Sequence, residues 1–255
     1  MRPRQSQPIG LAAALLLASS LVESGAAAQS RPQPALDCAR FVDTVDRRDC
    51  DRANDGDAAA QVRIGLRYLT GHGVVVNSGE AVRLFRLTAA VANPDGEVYL
   101  GYLYETGQGV PKDVPEALGL FRLAADQGSA RGMNALAWRL AATGRSLDEA
   151  QRWAEQAVAR EPGDGTYHDT LAAVLLRRGQ PKPALTEQLR AVGLQPNCAS
   201  CEDRLGDIMA ALGRRDDARP HWQRALDLSA GQSADPEWDA AAVRRKLGAS
   251  GTSTR

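Results

Sequence analysis

The chain has 255 residues, 44% hydrophobic and only 5% aromatic, with 31 basic and 31 acidic residues. That balance gives neither nucleic acid nor an anionic membrane surface anything to pull on. Scarce aromatics and abundant alanine suit thin, closely packed helices rather than a thick globular core, and no alternating strand pattern bounded by turn signals is found.

Residues 1–28 read as a cleavable signal peptide. Arg2 and Arg4 form a positive start, residues 9–22 are apolar, and Ala26, Ala27 and Ala28 precede Gln29 as a small-residue cleavage site. The apolar run is too short to span a bilayer. Removing residues 1–28 leaves 29 basic and 30 acidic residues. The expected product has no membrane span and is periplasmic or secreted. Residues 29–59 are expected to form a Pro-rich linker and an N-terminal capping helix over residues 35–45 that holds Cys38 and Phe41. Asp55, Gly56 and Asp57 then lead into the first repeat.

Residues 60–129 hold two copies of one pattern. Gly65 matches Gly101, Gly71 matches Gly107, Gly73 matches Gly109, Ala81 matches Ala117, Phe85 matches Phe121 and Ala89 matches Ala125, each 36 residues apart. A fixed period of this size predicts stacked helix pairs. In each unit Gly65 or Gly101 lies inside the first helix, where Gly costs about 1 kcal/mol relative to Ala. Equivalent placement in both copies implies close contact with the paired helix. The Gly-x-Gly loops end the first helices; they follow a helix, not a strand, and no P-loop Lys completes them. Asp113, Val114, Pro115 and Glu116 form a capping box for the second helix. Leu84 with Leu87, and Leu120 with Leu123, are expected to face the first helix.

Residues 130–163 keep the helix-pair logic without the Gly-x-Gly loop. Gly144 and Arg145 make the turn and Ser146 caps the next helix. Over residues 164–231 the period becomes 34: Leu171 aligns with Leu205, Ala172 with Gly206, Gly179 with Gly213, Ala184 with Ala218 and Ala191 with Ala225. Residues 232–247 are expected to hold a C-terminal capping helix that starts at Pro236 behind Asp235. Residues 248–255 are expected to be a disordered tail.

The run Ile64, Gly65, Tyr68, Gly71, Gly73 and Val74, followed by Ala81, Leu84 and Phe85, resembles the Sel-one-like repeat (SLR) family. Its second copy does the same, and a third starts near Ala130. The later units resemble the related tetratricopeptide repeat (TPR). The resemblance implies an all-α, right-handed α-solenoid of helix-turn-helix repeats that works by presenting a groove to a protein or peptide partner. In TPR register the groove is lined by Arg131, Asn134, Trp138 and Ala141 in the transitional unit. Thr166, Asp169, Ala173 and Leu176 follow in the next unit, then Ser200, Asp203, Asp207 and Ala210 in the last. Trp138 is either an anchor for a partner or a filler at the junction of the two repeat types.

Four cysteines in an exported chain are expected to be oxidised. A solenoid keeps its ends apart, which pairs Cys38 with Cys50 and Cys198 with Cys201. Twelve residues of straight helix would separate the first pair by ~18 Å, beyond disulfide reach. The chain is therefore expected to bend near Arg47, Arg48 and Asp49. Cys198 and Cys201 sit at a predicted helix start, a setting that lowers a thiol pKa. They read as a structural bridge or a redox C-x-x-C, although no thioredoxin-like strand–helix–strand context surrounds them.

No catalytic residue, metal site or cofactor is expected. His72, His168 and His221 stand outside any recognisable catalytic motif. The expected function is a non-enzymatic interaction scaffold. One alternative is a binder of cell-wall fragments or β-lactams with weak hydrolase activity. It is implied by resemblance to cysteine-rich exported SLR proteins, but the cysteines here do not recur once per repeat. A thiol redox accessory is the second alternative.

Overall fold

The computed structural model describes residues 35–144, 146–230 and 239–250. The chain divides into Met1–Leu36 and Asp37–Arg255, and the architecture below is that of the second unit. The expected signal peptide, the expected linker at residues 30–34, Asp235, Pro236 and residues 251–255 lie outside the described residues.

A 3-10 turn (Cys38–Arg40) precedes α1 (Thr44–Asn54). Five helix pairs follow. They are α2 (Ala58–Thr70) with α3 (Ser78–Ala90), α4 (Pro94–Thr106) with α5 (Val114–Asp126), and α6 (Ala130–Thr143) with α7 (Leu147–Arg160). Then come α8 (Gly165–Arg177) with α9 (Pro181–Leu194), α10 (Ala199–Ala211) with α11 (Arg215–Ala230), and α12 (Ala240–Ser250). Each helix packs on its neighbours in sequence, and the even-numbered helices α2 to α10 also touch one another in succession. This is an all-α repeat solenoid with α2, α4, α6, α8 and α10 as one layer.

Glycine against aromatic sets the packing within a pair. A Cβ on Gly65 would come within 2.5 Å of the Phe85 ring, one on Gly101 within 2.5 Å of Phe121, and one on Gly206 within 2.5 Å of Trp222. Phe85 and Phe121 are fully buried. Burying one such ring contributes about 2–3 kcal/mol. The glycine–aromatic spacing falls from 20 residues in the first two cases to 16 in the third, because the connection shortens from residues 107–113 to residues 212–214. The longer connection needs Gly107 at φ 78°, which closes α4 through its N–H to the Leu103 carbonyl. Asp113 caps α5 by accepting the Glu116 N–H at 3.0 Å. Between units, small residues do the packing: Ala117, Ala124, Ala137, Ala150, Ala154 and Ala157 are all fully buried.

Several local expectations are corrected. Residues 35–45 do not form one helix. The 3-10 turn ends at Phe41, whose backbone is extended, and α1 starts only after Asp43, which accepts the Val45 N–H at 2.6 Å. The reversal that brings Cys38 to Cys50 is therefore at Phe41 to Asp43, while Arg47, Arg48 and Asp49 lie within α1. Burial of Phe41 drives this: its ring is fully enclosed and meets Tyr68 edge-on, centroids 5.6 Å apart. Ser146 precedes α7 but makes no side-chain cap. Leu123 is exposed, since Leu120 and Phe121 already fill the face toward α4. The last helix starts at Ala240, with Asp239 accepting from the Ala241 and Ala242 N–H groups, and continues through Ser250 into the expected tail.

Two disulfides are formed, Cys38–Cys50 and Cys198–Cys201. Their Cα atoms are 5.5 and 5.2 Å apart. Bridges of this kind suggest an oxidising, extracytoplasmic setting. No helix among the described residues is long and apolar enough to cross a membrane.

Candidate partner-binding groove

A helix-pair stack repeats its side chains at the repeat period, so equivalent residues form rows along one face. Thr166 and Ser200 are such a row, as are Asp169 and Asp203. With Asn134, Trp138, Thr170 and Asp207 they line a groove of about 450 Å³. Tyr102 and Glu105 of α4, Ala135 of α6, Arg204 of α10, Asp239 and Ala242 complete the lining. Five of the expected groove residues lie elsewhere. Arg131 donates to Asp95 Oδ1 at 2.7 Å and to the Tyr99 hydroxyl at 3.0 Å, tying α6 to α4. Ala141 and Ala173 are buried, and Leu176 and Ala210 pack on hydrophobic clusters.

Trp138, on α6, is one of the lining residues. The guanidinium carbons of Arg204 and Arg177 lie 5.5 and 5.9 Å from its ring centroid, within cation–π range. Arg204 reaches back to Asp169 with two parallel bonds of 2.9 and 3.1 Å. Gln188 of α9 donates to the same carboxylate at 2.8 Å and to the Cys201 carbonyl at 2.9 Å. Farther along, Lys246 of α12 places its ammonium between Asp203 at 2.7 Å and Asp207 at 2.8 Å. Trp222 Nε1 adds a bond to Asp207 at 3.1 Å. At the other end Glu105 pairs with Arg139. Asn134 is 8% exposed, and its Oδ1 has no hydrogen-bond partner among the described residues.

Comparison with known proteins places this architecture. A model of the Sel1 repeat matches residues 58–91 and 94–129. Residues 58–91 and 94–129 are thus two Sel1 repeats. Its structure is similar to that of c5321, a protective antigen of uropathogenic Escherichia coli strains with an SLR fold (TM-score 0.61, 23% identity). That match covers 80% of this chain and 43% of the antigen, so the chain spans less than half of that relative. A Sel1 repeat protein from Oxalobacter formigenes matches at TM-score 0.51 and 22% identity, over 68% of this chain and 74% of its own. MamA from Desulfovibrio magneticus matches at 0.51 and 19%, over 69% and 97%. At these identities the likeness concerns the fold. No curated protein matches the sequence significantly. Sel1-repeat scaffolds are generally non-enzymatic and bind protein partners.

The electrostatics of this groove follow from burial. Burial pushes the Asp203 carboxyl above the ordinary range; the Lys246 hydrogen bond pulls it down, and the Asp207 charge adds to the rise. For Arg204, burial disfavours the charge, but the carboxylates of Asp169, Asp203 and Asp207 outweigh it and hold the guanidinium above its usual value. Arg177 is lowered, first by burial and then by the nearby Arg204 charge. No group of three or more acidic, His or Cys ligands suited to a metal occurs among the described residues.

Arg204 and Lys246 are absent from the sequence expectation. A signal existed for Arg204: it is 34 residues after Thr170, which is 35 after Ala135, and all three line the groove. On α10, Arg204 lies four residues after Ser200 and three before Asp207, so it shares their face. Lys246 had no such signal, being 39 residues from Asp207 across a non-repeating connection.

Proposed function

We propose that this protein is a non-enzymatic scaffold that holds a segment of a partner protein against Trp138. The observation that carries this reading is the ring itself. It is only part-buried, lines the groove and is flanked by two guanidiniums, and aromatic and Arg anchors in concave sites dominate binding energy. The pairing of Asp169 with Arg204 holds that anchor in one orientation before a partner arrives, which lowers the entropy cost of binding. Residues 1–28 have the pattern of an export signal, and the two disulfides favour a periplasmic or secreted location.

The test is a photo-crosslinking amino acid placed at Thr166, in the groove, or at Glu155, on exposed α7, in the native cell. Capture of one partner from position 166 only, lost in Trp138→Ala, supports the groove. Equal capture from both positions, or capture that survives Trp138→Ala, defeats it. N-terminal sequencing of the purified chain tests cleavage before Gln29.

A further inference from the structure

The two disulfides do different structural work. Cys38–Cys50 joins a 3-10 turn to α1 across 12 residues and fixes a reversal of the chain. Cys198–Cys201 spans three residues, over a turn already closed by backbone bonds. Cys198 N–H donates to the Gln195 carbonyl at 3.1 Å and Glu202 N–H to the Cys198 carbonyl at 3.2 Å. Closing so small a loop constrains the unfolded chain least. The fold thus has little need of this second bridge.

Its two sulfurs are also unlike. Cys201 is 1% exposed, whereas Cys198 is part-exposed. Cys198 is the N-cap of α10, and its Sγ accepts the Cys201 N–H at 3.1 Å, with the Ser200 hydroxyl 3.4 Å away. An N–H donor, a hydroxyl and the positive end of a helix stabilise a thiolate there. Ser200, between the two cysteines, lines the groove.

We propose that Cys198–Cys201 is a thiol–disulfide exchange site at the rim of the groove, whose co-reactant is a dithiol carried on an extended protein segment. A thiolate of that segment attacks Cys198 Sγ, the more accessible sulfur. A mixed disulfide forms, the Cys198–Cys201 bond breaks, and its electron pair leaves on Cys201 Sγ, which takes a proton from solvent. The segment's second thiol, deprotonated, then attacks its own half of the mixed disulfide, and Cys198 departs as the capped thiolate. The segment has lost two electrons and two protons and gained a disulfide; the protein holds two reduced cysteines. The reverse sequence reduces a disulfide in the segment. This chemistry stands apart from the scaffold reading, since it needs only the segment's sulfur at Cys198.

The test equilibrates the full oxidised chain with glutathione buffers of graded ratio, quenches in acid, and reads each cysteine pair by alkylation and mass spectrometry. Cys198–Cys201 is expected to open in buffers at least 100-fold more oxidising than those that open Cys38–Cys50. In the reduced chain Cys198 is expected to alkylate at least tenfold faster than Cys201. A Cys201→Ser chain is expected to accumulate the glutathione mixed disulfide at Cys198. Opening of both bridges over the same range of ratios overturns the proposal, as does equal alkylation of the two thiols or failure of Cys201→Ser to trap glutathione.

Discussion

His168 Nδ1 lies 2.7 Å from Glu187 Oε2, and one 34-residue period later the same clasp recurs with its partners exchanged. There Glu202 Oε2 lies 2.8 Å from His221 Nδ1. Each clasp joins the two helices of one pair, α8 to α9 and α10 to α11. His168 also sets its other nitrogen 3.0 Å from the Pro162 carbonyl, and in the next unit Arg224 takes the equivalent carbonyl, that of Pro196, at 3.3 Å.

Because the clasp works in either sense, a charge swap should be tolerated where a single change is not. His168→Glu alone sets two carboxylates together in a buried place and is expected to cost about 3 kcal/mol. The double variant His168→Glu with Glu187→His should recover most of that loss. Urea unfolding of the three chains measures it; a double variant no better than the single one would show that the two positions are not equivalent.

Glycine substitutions should separate by what a Cβ meets. Gly101→Ala drives a methyl to 2.5 Å from Phe121 and is expected to destabilise by about 1–3 kcal/mol. Gly119→Ala, in α5 with open space around it, is expected to stabilise by about 0.5–1 kcal/mol. Thermal melts of both variants give the opposed signs.

The acid limb of stability carries two opposed carboxylate contributions. Asp49 is lowered below 3.8, chiefly by its hydrogen bond from Arg63. Its contribution is complete above 3.8 and is lost as pH falls through the lower folded value. Asp203 is raised, chiefly by burial. It is charged at a cost above its folded value, and that cost disappears as pH falls from there to 3.8. Relative to Asp49→Asn, the parent should therefore lose its advantage below 3.8. Relative to Asp203→Asn, it should gain as pH falls toward 3.8. Urea midpoints taken across this range check both slopes.

Lys246 is bonded to both Asp203 and Asp207. Lys246→Ala leaves these carboxylates facing each other and removes two charge-assisted bonds to α12. A loss of about 1.5–3 kcal/mol is expected in the docking of that helix. Hydrogen exchange should quicken at residues 242–247 and stay unchanged in α4 and α5. Unaltered exchange in α12 would mean that burial of Val243 and Leu247 alone holds it.

Much of the scaffold was legible in the amino-acid order. The 36- and 34-residue periods, the glycines that admit Phe85 and Phe121, and the Asp113 cap are local or repeating features, and a chain that repeats must stack. The cysteine pairing was also legible, because a solenoid separates its ends. Asn134, Trp138, Thr166, Asp169, Asp203 and Asp207 were placed on the groove by register alone, since stacking copies each position along the same face.

What register could not decide lies where the repeat stops or where side chains choose between neighbours. The N-terminal reversal depends on Phe41 finding Tyr68, 27 residues away. Arg131 turns to Asp95 and Tyr99 because those groups, one repeat earlier, lie nearer than the groove. Asp203 and Asp207 hold Lys246 because α12 folds back onto α11. Which helices pair and which face they share follow from spacing along the chain. Which charges meet in the groove does not, because those contacts join residues with no fixed spacing and depend on burial and distance in three dimensions.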